Sequence, residues 1–316
     1  MKVIDTHCDA LLKLQLAKNG QPYGVEPISF YDADELETNV VRLKEGKVMA
    51  QFFAIFIYPD VPDNIKWQQA LEQVDLFYTE ILGKNPQMKH ITKWEQLDEL
   101  EEGEIGAVLT LEGADAFGND LMKLRQLYRL GVMSLGMTWN NANLCADGVG
   151  ESRGGGLTDL GREVVRLNNE HKVFTDVAHA SLQTFWDIMD EADYVMASHA
   201  NARAIHDHGR NLYDDQVKAI IDKGGLIHVV YYSQFVNGKS DGGTISDLIK
   251  HIDHLCELGG VNHIGFGSDF DGINGYLKNL KHAGHHQNLV NELLKHYSEE
   301  EVKGFAYQNF LNNRPK

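Results

Sequence analysis

The chain has 316 residues, of which 43% are hydrophobic and 24% are charged. This composition is typical of a globular protein, and it excludes a disordered chain, a collagen and a coiled coil. Asp and Glu outnumber Lys and Arg by 46 to 29, so the formal net charge is −17. A field of this sign disfavours binding to nucleic acid and to anionic membranes.

The cysteines and the lengths of the apolar runs indicate the cellular compartment of the protein. Cys8, Cys145 and Cys256 are odd in number and sparse, which is typical of a reducing compartment rather than of a disulfide framework. The first residues, MKVIDTHCDALLKL, lack the pattern of a signal peptide. No apolar run approaches the roughly 18 residues of a membrane span. We therefore expect a cytoplasmic protein without a membrane or nucleic-acid partner.

Short apolar runs alternate with helical patterns along the whole chain. The runs are rich in Val, Ile, Leu and Phe, as expected for parallel strands that are buried on both faces. The eight predicted strands are Val3–Asp5, Ala50–Ile57, Ile105–Leu111, Met133–Met137, Val173–Val177, Tyr194–Ala197, Leu226–Val230 and His263–Gly267.

The segments between these runs have the three- and four-residue spacing of amphipathic helices, and Gly follows several of them. Ser298 and Glu301 form a capping box that begins the last helix. The other predicted helices are Ile65–Leu82, Leu121–Leu130, Leu160–Glu170, Leu182–Asp190, Asp214–Asp222 and Thr244–Leu258.

Eight strands that alternate with helices predict an α/β fold, with residues 1–316 forming a single (β/α)₈ TIM-like barrel domain. A doubly wound open sheet is the alternative. That fold usually has a Gly-rich turn after its first strand, whereas here the first strand is followed by THCDALLKL.

Residues suited to metal binding or acid–base chemistry follow five of the predicted strands. Barrel active sites form at the C-terminal ends of the strands, so these side chains are expected on one rim. They are His7 and Asp9 after the first strand, Glu112 after the third, His179 after the fifth, His199 after the sixth and Asp269 after the eighth.

This set suits a centre with two metal ions. His7 and Asp9 are two residues apart on an extended chain, so both side chains can reach one ion. A carboxylate from another strand can bridge two ions, and three histidines with carboxylates favour Zn²⁺ over Mg²⁺ or Ca²⁺. Each residue alone has an ordinary structural explanation. Five strand ends together favour a metallohydrolase.

The motifs DTHCD, LTLEG, DVAHAS, SHANARAIHDHGRN and HIGFGSDFDG occur in this order. In this combination they resemble the membrane (renal) dipeptidase family, which are binuclear zinc peptidases on an amidohydrolase-type barrel. The resemblance extends from Val3 to about Phe310, and the chain is most similar to the soluble bacterial members. It implies two Zn²⁺ ions per subunit. His7 and Asp9 would bind one ion, His179 and His199 the other, and Glu112 both.

The resemblance also implies an activity and the residues that serve it. Dipeptides would be hydrolysed by a hydroxide that bridges the metals, with a D-residue accepted at the C-terminal position. Arg210 would bind the C-terminal carboxylate of the substrate, Asp269 would transfer the catalytic proton, and the enzyme would be a homodimer. Tyr231 and Tyr232 end the seventh predicted strand, and we expect Tyr232 to face the substrate.

One position departs from the family pattern. Animal members have a histidine after the fourth strand, where it is thought to stabilise the oxyanion, whereas this chain has Trp139 in MTWNNAN. An indole N–H can donate one hydrogen bond but does not exchange a proton. We expect Trp139 to form a wall of the substrate pocket. Candidates to replace the histidine are Asn140, Asn143, His206 and His208.

Two alternative functions remain open at this stage. A related binuclear amidohydrolase would act on N-acyl amino acids, cyclic amides or lactones with the same metals. The second alternative is a barrel that binds metal but catalyses no reaction, and the presence of Asp269 argues against it.

Five further positions carry smaller expectations. We expect Cys8 to point away from the metals, and His282, His285 and His286 to lie on a solvated loop. Asp176, three residues before His179, either orients a ligand or ends a strand.

Overall fold

The computed structural model describes residues 1–20 and 28–316. The strands of this part of the chain are β1 Val3–Asp5, β2 Val48–Phe56, β3 Met88–Ile91, β4 Ile105–Glu112, β5 Val132–Gly136, β6 Phe174–Asp176, β7 Val195–Ala197, β8 Leu226–Val229, β9 Gly243–Thr244, β10 Ile264–Phe266 and β11 Leu277–Lys278. Nine of them form the main sheet, and eight of these close into a parallel barrel because β2 pairs with both β1 and β4 while β1 pairs with β10.

Helices connect the strands and cover the barrel. In the described residues they are α1 Ala10–Lys18, α2 Val40–Glu45, α3 Asp63–Leu76, α4 Leu121–Arg129, α5 Asp159–His171, α6 Leu182–Glu191, α7 Asp214–Asp222, α8 Ser233–Asn237, α9 Ile245–Glu257, α10 His286–Leu293, α11 Glu299–Lys303 and α12 Asn309–Asn313. Within residues 1–20 and 28–316, none of these helices combines the length and the apolar character needed to cross a membrane.

The predicted TIM-like barrel is confirmed, and each of the eight predicted strands overlaps one barrel strand. The strand β3 was not predicted. It pairs with the first half of β4, with Met88 opposite Ile105, whereas β5 pairs with the second half from Leu109 onwards. Helix α3 continues as a π-helix over Phe77–Gly83, so together they cover the predicted helix 65–82.

Aromatic side chains fill the barrel at the N-terminal ends of its strands. Phe52 of β2 points into the barrel, whereas the next residue, Phe53, packs with the surrounding helices, as the alternation of a strand requires. Phe310 of α12 has its ring centroid 5.3 Å from Phe52 and 5.5 Å from Trp94. Each such buried side chain contributes about 1.5–3 kcal/mol to stability. Because apolar side chains fill the N-terminal end of the barrel, the polar side chains lie at its C-terminal end.

The expectation of a solvated loop is wrong for His286. This residue begins α10 and is 0% exposed, because the helix packs its first residue against the ends of β1 and β8. Its Nε2 lies 3.4 Å from the carboxylate of Asp5, and its Nδ1 lies 3.2 Å from the hydroxyl of Tyr231. His282 and His285 are half-buried. Cys8 is buried in the cluster between barrel and helices, as expected.

Candidate metal centre

The predicted site residues all lie at the C-terminal end of the barrel. Each is placed by the strand before it, because the backbone leaves the sheet there and its side chain points to the barrel axis. His7 and Asp9 follow β1, Glu112 ends β4, His179 follows β6, His199 follows β7 and Asp269 follows β10.

The carboxylate of Glu112 lies at the centre of this group. Its Oε1 is 2.9 Å from Nε2 of His179 and 3.9 Å from Nε2 of His199. Its Oε2 is 3.5 Å from Nε2 of His7. The two oxygens of one carboxylate therefore face two different sets of donor atoms.

The second set gathers around His7. Its Nε2 lies 3.5 Å from Oδ2 of Asp9 and 3.7 Å from Oδ1 of Asp269. The ligand atoms of these three residues lie within 4.8 Å of one another, and the same holds for His7, Glu112 and His199. Both groups have the spacing that a metal ion requires.

Two buried atoms of this set lack a hydrogen-bond partner, namely Nε2 of His7 and Oδ1 of Asp9. A buried polar atom without a partner is rare, because its desolvation is not compensated. A divalent cation between these atoms would satisfy both, and the set of imidazole and carboxylate donors is one that such ions use.

The other histidines direct their lone pairs at the same point. Ser198 Oγ donates to Oδ2 of Asp176 at 2.5 Å, so it accepts from Nδ1 of His199 at 2.8 Å. Nδ1 of His179 donates to Oδ1 of Asn140 at 2.9 Å. Both Nε2 atoms are therefore unprotonated acceptors, yet they lie 2.9 Å apart. Two acceptors this close indicate a place for a cation.

The electrostatics of the site agree with this picture. Burial, reinforced by the charge of Arg210, lowers the pKa of His179 to about 4, and burial also lowers the pKa of His199. Both imidazoles are therefore neutral at pH 7, the form that binds metal. Burial alone would lower the pKa of His7, but the Glu112 and Asp9 carboxylates raise it well above its ordinary value. The charges around His7 favour a cation there.

Asp269 has an unusual backbone as well as an unusual environment. It adopts the left-handed conformation, with φ of +65°. Burial raises the pKa of its carboxyl group well above the ordinary value, the Asp9 and Glu112 carboxylates raise it further, and His7 and Arg210 oppose them. A raised pKa makes this carboxylate a stronger base than an ordinary aspartate.

A cavity of about 230 Å³ opens onto these residues. Asp9, Glu112, His179 and Asp269 form its polar side. The other side is largely apolar and aromatic, and it includes Leu12, Phe56, Tyr58, Trp139, Phe235 and Ile273.

Trp139 and Tyr232, which were predicted to bind the substrate, both line this cavity. The indole ring of Trp139 lies 5.4 Å from the ring of Phe56 and 6.1 Å from that of His179, so it stands beside the metal centre. The Tyr232 hydroxyl is hydrogen-bonded to Asn274 at 2.9 Å.

Arg210 also lines the cavity and is only 6% exposed. Its Nη1 donates to the carbonyl of Ala178, its Nη2 lies 3.0 Å from Nε2 of His179, and its Nε is buried without a partner. The guanidinium packs over the Phe235 ring at 5.4 Å. Burial lowers its pKa to about 10, so it remains charged at pH 7.

Two residues orient the histidines, and sequence reasoning assigned this role to neither of them. Of the four candidates to replace the family histidine, Asn140 alone lines the cavity, and its side chain accepts from His179 rather than pointing freely at the substrate. Ser198 orients His199 and was not considered. The available signal was its position directly before a candidate ligand, and its partner Asp176 is 22 residues away in the chain.

Comparison with known proteins identifies the family. The model of the membrane dipeptidase family, peptidase family M19, matches residues 1–313. The chain belongs to this family. The resemblance seen in the sequence motifs is thereby confirmed, and the protein is a metal-dependent dipeptidase.

Individual relatives agree with this assignment. An uncharacterized dipeptidase of Schizosaccharomyces pombe is 30% identical over 332 residues, which cover 98% of this chain and 79% of that protein. A metallo peptidase from Rhodobacter sphaeroides, solved with a phosphinate mimic of the dipeptide L-Ala-D-Ala, has a TM-score of 0.90 at 25% identity, with 99% of each chain covered. Dipeptidase AC of family M19 has a TM-score of 0.89 at 26% identity, with 99% of this chain and 98% of that chain covered.

The hydrogen bond from His199 to Ser198 predicts an effect on metal binding. In Ser198→Ala the imidazole loses the acceptor that fixes its tautomer, so we expect the affinity for a divalent ion to fall by about 10- to 100-fold. Competition with a chromogenic chelator measures this change. Thr175→Val is the matched control, because it removes a buried hydroxyl bonded to Asn168 away from the site. Equal affinities in the two variants would contradict the prediction.

Proposed function

We propose that this chain hydrolyses dipeptides with two zinc ions. His7 and Asp9 would hold one ion, His179 and His199 the other, and Glu112 would bridge them. The observation that carries the proposal is the position of the Glu112 carboxylate, whose Oε2 faces His7 while its Oε1 faces His179 and His199. Three imidazoles among carboxylates favour Zn²⁺ over harder divalent ions. When bound, the two ions supply Lewis acidity towards the peptide carbonyl and lower the pKa of the attacking water.

Arg210 would bind the C-terminal carboxylate of the dipeptide. A buried guanidinium at the edge of a small cavity can grip a carboxylate with two parallel hydrogen bonds. One of its N–H groups now donates to Nε2 of His179, and that is the lone pair which a metal would use. Metal binding would therefore free a donor for the substrate. A carboxylate held in this way explains why longer peptides would be refused.

Asp269 would take the proton of the attacking water and pass it to the leaving amine. The water oxygen then bonds to the carbonyl carbon, the C–N bond breaks, and the proton leaves on the amine nitrogen. Support comes from its raised pKa and from its position beside His7 in the lining of the cavity. Trp139 would form part of the cavity wall that contacts a substrate side chain, and Tyr232 would line the same space.

We also propose that a D-residue is accepted at the C-terminal position. The Rhodobacter sphaeroides metallo peptidase, solved with a mimic of L-Ala-D-Ala, supports this. The family resemblance supports a homodimer, and the family match over residues 1–313 supports a single catalytic domain over 1–316. The three free cysteines, two of them buried, are consistent with a cytoplasmic enzyme.

Metal removal and substrate choice test the proposed activity together. We expect protein stripped with a chelator to lose activity and to regain it with two equivalents of Zn²⁺, because the metals supply the Lewis acid. The reloaded enzyme should hydrolyse L-Xaa-L-Xaa and L-Xaa-D-Xaa dipeptides and refuse tripeptides and N-acyl amino acids. The measurement is release of free amino acid, quantified by chromatography. Hydrolysis of N-acyl amino acids without that of dipeptides would favour the alternative amidohydrolase function.

Replacing Arg210 tests the binding of the carboxylate. For Arg210→Met we expect KM for dipeptides to rise by about 10- to 100-fold, since a charge-assisted hydrogen-bonded pair of about 1.5–3 kcal/mol is lost. Dipeptide amides, which lack the carboxylate, should be equally poor substrates for the wild type and the variant. Arg203→Met is the control, because that arginine pairs with Asp207 outside the cavity. A variant that still prefers acids over amides would assign the carboxylate to another residue.

Replacing Asp269 tests the proton transfer. Asp269→Asn keeps the size of the side chain but cannot accept the proton, so we expect kcat to fall by about 10²- to 10⁴-fold with little change in KM. Atomic emission analysis of the purified variant should still find two metal ions. An unchanged kcat with both metals bound would show that another group carries the proton.

A further inference from the structure

The turn that carries Asp269 is held in a conformation that side chains disfavour. Asp269 has φ of +65° and Asp271 has φ of +70°, both in the left-handed region. In this region the Cβ of a residue other than glycine approaches its own backbone too closely. Such a turn persists only when its surroundings fix it. The contacts of residues 269–272 are therefore informative about how Asp269 is held.

One side of the turn is attached to the segment after β1. The backbone N–H of Asp269 donates to the carbonyl of His7 at 3.2 Å, and that of Asp9 donates to the carbonyl of Phe270 at 2.9 Å. Gly272 packs so closely that a Cβ there would lie 2.1 Å from Oδ2 of Asp9 and 2.8 Å from Oδ1 of Asp269. The turn and the His7–Asp9 segment are thus fixed relative to each other.

The other side of the turn is attached through the carboxylate of Asp271, which is fully buried. Its oxygens accept from the backbone N–H groups of Glu37, at 2.8 Å, and Thr38, at 3.0 Å. Its Oδ1 also lies 3.2 Å from Nζ of Lys13. One side chain thereby joins the turn to the segment before α2 and to helix α1.

Lys13 connects the turn and the segment before α2 to Asp9. It lies one turn after Asp9 on α1, and its backbone N–H donates to the carbonyl of Asp9 at 3.2 Å. Its ammonium group contacts the carboxylates of Glu37 and Asp271 and the carbonyl of Glu35. The Tyr276 hydroxyl donates to the Glu37 carboxylate at 2.8 Å. Without Lys13, the buried carboxylate of Asp271 and the partly buried carboxylate of Glu37 would face each other without a cation.

We propose that Lys13 and Asp271 are positioning residues that fix the positions of Asp269 and Asp9 relative to each other. Neither side chain lines the cavity, so they act through the turn and through α1 rather than on the substrate. This inference rests on the proposed proton transfer by Asp269. The group that receives the proton and the group proposed to bind one ion would be set by the same buried ion pair.

The test compares Lys13→Met with Lys66→Met. Lys66 is a matched control, because it is 8% exposed where Lys13 is 9% exposed and it also contacts two carboxylates, those of Asp63 and Asp115. We expect kcat of Lys13→Met to fall by about 10- to 100-fold with KM nearly unchanged, as for a misplaced reacting group. Lys66→Met should keep the wild-type kcat even where it lowers the melting temperature equally.

A second readout does not depend on activity. Hydrogen–deuterium exchange of the peptide covering residues 268–276 should become faster in Lys13→Met, because the bonds that fix the turn are weakened. The same peptide in Lys66→Met should exchange at the wild-type rate. Asp271→Asn keeps only one of the two acceptor oxygens and loses the charge, so one backbone N–H loses its partner. It should give the same changes, and it replaces Lys13→Met in the comparison where that variant does not fold.

The two readouts separate the failure of this inference from the failure of the proposed function. Wild-type protein that hydrolyses no dipeptide would refute the function, while the exchange comparison would still decide whether Lys13 holds the turn. If the 268–276 peptide of Lys13→Met exchanged at the wild-type rate, the inference would be overturned. An equal loss of kcat in Lys13→Met and Lys66→Met would also overturn it, because the effect would then be general destabilisation.

Discussion

The structure depends on keeping several buried acceptors close together at one end of the barrel. Nε2 of His179 lies 2.9 Å from the Glu112 carboxylate and 2.9 Å from Nε2 of His199, and Nε2 of His199 lies 3.9 Å from the same carboxylate. Buried acceptors without donors are unfavourable, and a pair of charges rarely repays its own desolvation. A bound cation would therefore stabilise this group of acceptors. Before the cation binds, the surrounding residues must hold the acceptors in place, so the group serves binding and does not contribute to folding stability.

Aspartates supply that frame by the same device in three places. Asp5 accepts from the backbone N–H and the hydroxyl of Ser268, at 2.8 and 2.6 Å, and Asp176 accepts from the same two groups of Ser198, at 3.0 and 2.5 Å. Each serine directly precedes a site residue, Asp269 or His199. Asp271, within the turn, accepts from the backbone N–H groups of Glu37 and Thr38 in the segment before α2. Beyond the strand ends the backbone ladder is reduced to single bonds, such as those from Asp269 to His7 and from Asp9 to Phe270. Side-chain carboxylates satisfy further backbone N–H groups there.

Local patterns predicted the barrel and the rim residues, because an apolar run and the residue that ends it are adjacent in sequence. β3 was missed because MKHI has two apolar residues only and is partly exposed. His286 looked solvated because it stands among other polar residues, yet its burial is decided by Asp5 at the far end of the chain. The bond between Asp5 and Ser268 likewise joins residues 263 positions apart. Contacts of this kind have no local signature.

The tryptophan at position 139 makes the placement of Asp269 more important. The indole N–H can donate a hydrogen bond to a developing oxyanion, but it cannot exchange a proton as an imidazole can. The side-chain oxygen of Asn140 accepts from His179, and an amide group does not exchange a proton as an imidazole does. In the proposed mechanism the proton transfer is assigned to Asp269, whose backbone is in the left-handed conformation. A turn that carries the proposed proton acceptor must hold that carboxylate in a fixed position. The buried Lys13–Asp271 pair provides a physical reason why this turn keeps its shape.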